Sequence, residues 1–126
     1  VLQARDAIRA ILHGHDRARL VVVVGPCSIH DESGALEYAD RLARIAERTE
    51  KELVIVMRCY FEKPRTSVGW KGLLYDPDLD GSCDLCTALR RARGLLANLA
   101  ERGIACGGEA LDPISPQYLA DLWLSP

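Results

Sequence analysis

Two apolar runs limit the fold more than anything else in these 126 residues. Leu20-Val-Val-Val-Val24 and Leu53-Val-Ile-Val-Met57 are strand-length, rich in β-branched residues and apolar at every position. A strand with one wet face alternates polar and apolar side chains, so unbroken runs predict strands buried on both faces, as in parallel sheets covered by helices. The segments around them carry helical patterns. Residues 2–12 place Leu2, Ala7, Ile8, Ile11 and Leu12 near one face, with Gly14 as a stop. Behind Asp31, a residue type that caps helices, residues 32–48 carry Leu36, Ala39, Ala43 and Ala46 on one stripe. Thr87 opens a third pattern with Leu89, Ala92, Leu96 and Leu99 inward, ended by Gly103. A short strand is predicted over 104–106, and Ser115-Pro116 reads as the cap and first-turn proline of a last helix. Strands alternating with helices predict a parallel α/β sheet with right-handed crossovers: a leading helix and three βα units.

Charge is unevenly spread. Residues 57–72 hold Arg58, Lys63, Arg65 and Lys71 against one acid, Glu62, which makes +3 in a chain of net charge −2. The cations begin where the second strand ends; Pro64 stiffens the backbone between Lys63 and Arg65, and Gly69 and Gly72 let it turn. Arginine forks and lysine point charges on such a loop suit phosphate and carboxylate ligands. A solvated basic loop is the plainer reading, and the interleaved Tyr60, Phe61 and Trp70 argue against it. Nucleic acid is excluded as a partner because the whole chain lacks a basic surplus. No apolar run approaches the roughly 20 residues of a membrane span, and no signal peptide is visible. Hydrophobic residues make up 48% and charged residues 27%, ordinary for a globular α/β chain. Cys27, Cys59, Cys83, Cys86 and Cys106 lack the spacing of a secreted disulfide scaffold, so reduced thiols and a cytoplasmic location are expected.

A second motif follows the first strand at once: Gly25-Pro26-Cys27-Ser28-Ile29-His30-Asp31. It places Cys27 and His30 just beyond the strand's carboxyl end, where parallel α/β folds carry their chemistry. Together with Met57-Arg-Cys-Tyr-Phe-Glu-Lys-Pro-Arg-Thr-Ser-Val-Gly-Trp-Lys-Gly72, it resembles the type I 3-deoxy-D-arabino-heptulosonate 7-phosphate (DAHP) synthases. The likeness continues through Gly72-Leu-Leu-Tyr-Asp-Pro77, Leu89-Arg-Arg-Ala-Arg93 and Gly108-Glu109 to Ile114–Leu122. The resemblance implies a (β/α)8 TIM barrel. It also implies metal-dependent, aldol-type condensation of phosphoenolpyruvate with erythrose 4-phosphate, the first step of the shikimate pathway and aromatic amino-acid biosynthesis.

Site residues follow from the same resemblance. Cys27 matches the family's thiolate ligand for a divalent metal such as Mn2+ or Fe2+, its other ligands (a His, a Glu and an Asp) coming from later strands. Arg58 and Lys63 match the phosphoenolpyruvate-binding cations, Lys63 lying between the two substrates. Pro64, Arg65 and Thr66 match the segment that holds the phosphate of erythrose 4-phosphate. Glu109 matches an acid beside the phosphoenolpyruvate pocket, with a rim ion pair to Arg58 or Lys63 as the alternative. Pro116 and Gln117 resemble positions lining the aromatic amino-acid pocket of feedback-inhibited members. Three features carry less: Cys83-Asp-Leu-Cys86 has no second pair to complete a zinc ribbon, His13 and His15 read as a solvated helix end, and His30 as a hydrogen-bonding rim residue.

A full barrel takes about 250 residues, so residues 1–126 are expected to be a partial domain of that barrel, truncated at both ends. The chain begins at Val1 without a methionine, and Leu124 breaks the pattern by which the family continues. With one metal ligand of four, the chain is expected to be inactive alone, whereas the parent enzyme would be a homo-oligomer. The alternative is a non-catalytic remnant that at most binds anionic phosphate compounds through the 58–71 loop. A barrel synthase using another aldose phosphate is disfavoured by Lys63-Pro64-Arg65-Thr66.

Overall fold

A computed structural model describes residues 1–63 and 68–124. Strands β1 (Leu20–Val24), β2 (Leu53–Arg58) and β3 (Ala105–Gly107) form one parallel sheet in the order β1-β2-β3. Val24 stands opposite Met57, and Met57 opposite Cys106. Helix α1 (Leu2–Leu12) precedes the sheet, and α2 (Glu32–Arg48), α3 (Leu85–Glu101) and α4 (Ser115–Leu119) follow the three strands in turn. The leading helix and three βα units are those the sequence predicts.

Alternate residues of a strand face opposite ways, so β2 and β3 present two different surfaces. Met57 and Cys106 join the core with Cys59, against Ala35, Ala39 and Leu42 of α2 and Ala92, Leu96 and Leu99 of α3. Alanines on both helices keep the layers close, and each fully buried leucine contributes roughly 1.5–3 kcal/mol by leaving water. Val56 and Ala105, paired in register, lie on the other surface and are also buried. Arg58 continues that surface at the carboxyl end of β2.

Several boundaries differ from the sequence reading. Helix α3 starts at Leu85, because the Asp84 carboxylate accepts hydrogen bonds from the Thr87 backbone NH at 3.1 Å and from its hydroxyl at 2.6 Å. Thr87 is thus the third residue of the helix and a donor to the cap. Helix α4 is capped from outside by Asp112, which accepts from the NH groups of Ile114 and Ser115. Strand β3 lies one residue later than predicted. The buried stripe of α2 is Ala35, Ala39 and Leu42, with Leu36 and Ala43 at its margin. Helix α1 buries no residue fully, and Leu2 and Leu12 face solvent. It touches β1 and β2, and Arg5 donates to the carbonyls of Ala120 and Trp123, tying the first helix to the far end of the chain. The acidic stretch after residue 75 is turn chemistry: Asp76 accepts from Gly81 NH and Asp80 from Ser82 NH.

Candidate active site at the carboxyl ends of the strands

Hydrogen bonds carry the sheet past its strands. Cys59 NH donates to Gly107 O and Ile29 NH to Tyr60 O, each at 2.8 Å. The three strand exits are therefore laced together, and the predicted residues on them share one rim. Arg58, the last residue of β2, donates from Nη2 to Cys27 O at 3.3 Å. Its guanidinium carbon sits 3.8 Å from the centroid of the Tyr60 ring. The backbones of β1 and β2 approach closely here because residue 25 is glycine, where a Cβ would lie 2.8 Å from Arg58 O and 3.0 Å from Arg58 N. Tyr60 in turn links Arg58 to Glu109. Burial pushes its phenol up from the ordinary value, and its hydrogen bond with the Glu109 carboxylate pushes it further. Among the described residues Glu109 forms no ion pair with Arg58 or Lys63, so the rim pair weighed from sequence is replaced by contact with Tyr60.

Lys63 stands in a second group. Its NH donates to Lys71 O at 2.8 Å, and its ammonium lies 5.4 Å from the Trp70 ring centroid. Trp70 is fixed by its indole NH, which donates to Asp76 O at 2.6 Å, and His30 meets it edge-on at 6.4 Å. His30 is thus held by a ring contact. Gly72 makes the fold-back possible: its φ is +113°, and a Cβ there would lie 2.3 Å from Phe61 O. Pro64, Arg65 and Thr66, expected to hold a sugar phosphate, lie outside the described residues.

The Cys27 thiol is exposed and free. Among the described residues no three His, Cys, Asp or Glu side chains gather as a metal site. These donors do not hold a divalent ion by themselves. A groove of about 190 Å³, which Cys27 does not line, opens between the Pro26–Asp31 turn and α2. Pro116 sits in the first turn of α4, and the exposed Gln117 donates to Pro113 O at 2.7 Å. Cys83 and Cys86 are free and exposed, and the His13 and His15 rings stack at 6.3 Å. Tyr60 was read from sequence only as an aromatic neighbour; its place between Arg58 and Glu109 depends on β3, some fifty residues away, which no local pattern reveals.

A parallel βα succession of the barrel-forming type, with cations and a thiol on the carboxyl rim, places the chain among the α/β proteins. The chain belongs to the DAHP synthetase I family, whose model matches residues 2–124. It is 57% identical over 122 residues to the Phe-sensitive phospho-2-dehydro-3-deoxyheptonate aldolase of Escherichia coli K12, covering 97% of this chain and 35% of that protein. It is 54% identical over 121 residues to the phospho-2-dehydro-3-deoxyheptonate aldolase of Amycolatopsis methanolica, covering 96% of this chain and 59% of that protein. The structure of the Francisella tularensis SCHU S4 aldolase superposes with a TM-score of 0.90 at 50% identity, over 98% of this chain and 36% of that one. The chain thus spans about a third of the length of two of these relatives and under two thirds of the third.

Proposed function

We propose that this chain supplies the anion-binding rim of a DAHP synthase, a transferase that condenses phosphoenolpyruvate with erythrose 4-phosphate at the start of aromatic amino-acid biosynthesis. The observation that carries this reading is Arg58, fixed between the Cys27 carbonyl and the Tyr60 ring on the rim that also bears Glu109. Both substrates are polyanions that repel each other, and a preset cation neutralises them without reorganising at the moment of reaction. In this reading Arg58 and Lys63 hold phosphoenolpyruvate, and Lys63 faces both substrates. Pro64, Arg65 and Thr66 hold the sugar phosphate, and Glu109, held by Tyr60, acts beside the phosphoenolpyruvate carbons. The methylene carbon of phosphoenolpyruvate attacks the aldehyde carbon, water adds, and phosphate leaves. Cys27 would be one ligand of a divalent ion such as Mn2+ or Fe2+, the remaining ligands lying outside the described set.

Residues 1–126 would then be part of a barrel domain, active only within a larger, homo-oligomeric, cytoplasmic enzyme. Among the described residues no helix is long and apolar enough to cross a membrane. Pro116 and Gln117 would border a regulatory amino-acid pocket. As a separate polypeptide the chain would at most bind phosphate-bearing anions.

The roles are tested in an enzyme of the family's full length that carries these residues. Arg65→Ala should raise KM for erythrose 4-phosphate about 30- to 150-fold, the equivalent of roughly 2–3 kcal/mol for one charge-assisted phosphate contact. KM for phosphoenolpyruvate should move far less. Lys63→Ala should instead depress kcat, because a cation between converging anions helps most in the transition state. Equal effects of Arg65→Ala on both KM values would reduce the loop to a general electrostatic funnel.

A further inference from the structure

Glu62 is the one acid in the cationic segment, next in sequence to Lys63, and it is only 8% exposed. Among the described residues no lysine or arginine pairs with it. Its polar neighbour is Ser115, whose Oγ lies 3.3 Å from Glu62 Oε1. The same hydroxyl makes a shorter contact with Asp112 Oδ2. Asp112 also accepts from the NH groups of Ile114 and Ser115. The Ser115 hydrogen bond holds its carboxyl below the usual range, so Asp112 is the ionised member.

Counting protons decides the rest. A serine hydroxyl has one hydrogen to give and lone pairs to accept with. With that hydrogen on Asp112, the carboxylate of an ionised Glu62 would face the Ser115 lone pairs with no other side-chain hydrogen bond among the described residues, an arrangement folded proteins avoid. With a proton on Glu62 the chain closes: Glu62 donates to Ser115 Oγ, and Ser115 donates to Asp112. The other groups around Glu62 favour the same answer. Tyr60, Glu109 and Trp123 line the small cavity it borders. The Tyr60 phenol is held neutral, and the neighbouring Lys63 ammonium lies against Trp70. Burial first and the Asp112 charge second push the Glu62 carboxyl above its ordinary range.

We propose that Glu62 is kept as a neutral carboxylic acid whose hydrogen bond, passed on through Ser115 to Asp112, straps the segment leading into Lys63 to the start of α4. The strap would leave Lys63 without a negative charge on the residue next to it in sequence; that consequence rests on the function proposed above, whereas the protonation does not. The sign follows from linkage. A carboxyl whose folded pKa is raised contributes stability fully below its unfolded pKa, about 4.3 for glutamate, and loses it as pH rises through the folded value. Ionisation would set two carboxylates against one hydroxyl and loosen the strap.

The test labels glutamate carboxyl carbons in the full chain and follows them by nuclear magnetic resonance as pH rises, with Glu62→Gln assigning the signal. Glu62 should titrate above the other glutamates, and Asp112→Asn should bring it down towards them. Hydrogen exchange should show amides 61–63, 114, 115 and 117–119 losing protection as Glu62 ionises, whereas Glu62→Gln, neutral and of the same shape, keeps it. Glu62 titrating with the other glutamates would overturn the proposal. So would Glu62→Gln losing protection at every pH, or a chain in which these amides are unprotected throughout, because the strap requires both segments to be held together.

Discussion

Gly25 sits where one missing methyl group sets the geometry of Arg58. An alanine Cβ would lie 2.8 Å from Arg58 O and 3.0 Å from Arg58 N, both backbone atoms that cannot swing aside. Gly25→Ala should therefore push β1 off β2 and cost about 1–3 kcal/mol, as overpacking does elsewhere. An unchanged urea midpoint would mean that the strands can separate freely there. Gly72→Ala should cost more, because its +113° φ disfavours any side chain even before the Cβ meets Phe61 O at 2.3 Å. Arg58 also shows why lysine is a poor substitute: lysine lacks the planar group that lies over Tyr60 while reaching the Cys27 carbonyl.

Helix α3 carries the densest part of the core, with Ala88, Ala92, Leu95, Leu96 and Leu99 all buried. Leu96→Ala, at a position with no exposure, should cost about 2–5 kcal/mol according to how far the cavity collapses; a loss much below that range by chemical denaturation would contradict this packing. The start of α3 gives a pH prediction. The hydrogen bond from Thr87 holds the Asp84 carboxyl below its usual range, so its stabilising part is complete above the unfolded aspartate pKa and is lost as pH falls through the folded one. The melting temperature of Asp84→Ala should lie below that of the parent chain at pH 7, and the gap should close in acid. The same helix marks what could be read in advance. Its apolar spacing was plain, but Asp84 and Thr87 are both cap-forming residue types three apart, and only the structure assigns Asp84 as acceptor and Thr87 as donor. β1 and β2 were legible because every residue of their runs is apolar. The rim was legible as motifs: Cys27, Arg58, Lys63 and Glu109 were named, whereas Tyr60 as their link and Glu62 on Ser115 were not, since such contacts join residues some fifty apart and leave no periodicity.

At the scale of the whole molecule the sheet is open. The described strands run β1-β2-β3, so one side of β1 and one side of β3 have no neighbouring strand among the described residues. The relatives that match are mostly about three times as long, covered to 35% in the Escherichia coli enzyme and 36% in the Francisella structure. Catalysis should therefore be absent from the 126-residue chain incubated with phosphoenolpyruvate, erythrose 4-phosphate and Mn2+; heptulosonate formed above buffer and abolished by Cys27→Ala would refute the proposal that the chain is active only within a larger enzyme. The open edge of β1 has a consequence that needs no substrate. Leu20 and Val23 are 68% and 62% exposed in a strand made only of leucine and valine. None of the usual edge defences, a proline, an inward charge or a bulge, interrupts Leu20–Val24, and unpaired NH and C=O groups beside exposed apolar side chains template pairing with another chain. Sedimentation of the chain should show the weight-average mass rising with concentration. Val23→Lys, which places a charge on the exposed side of the edge, should return it towards the 13.9 kDa monomer while leaving the buried face of β2 intact. A parent chain that stays monomeric across the same range would mean that the β1 edge is covered in solution.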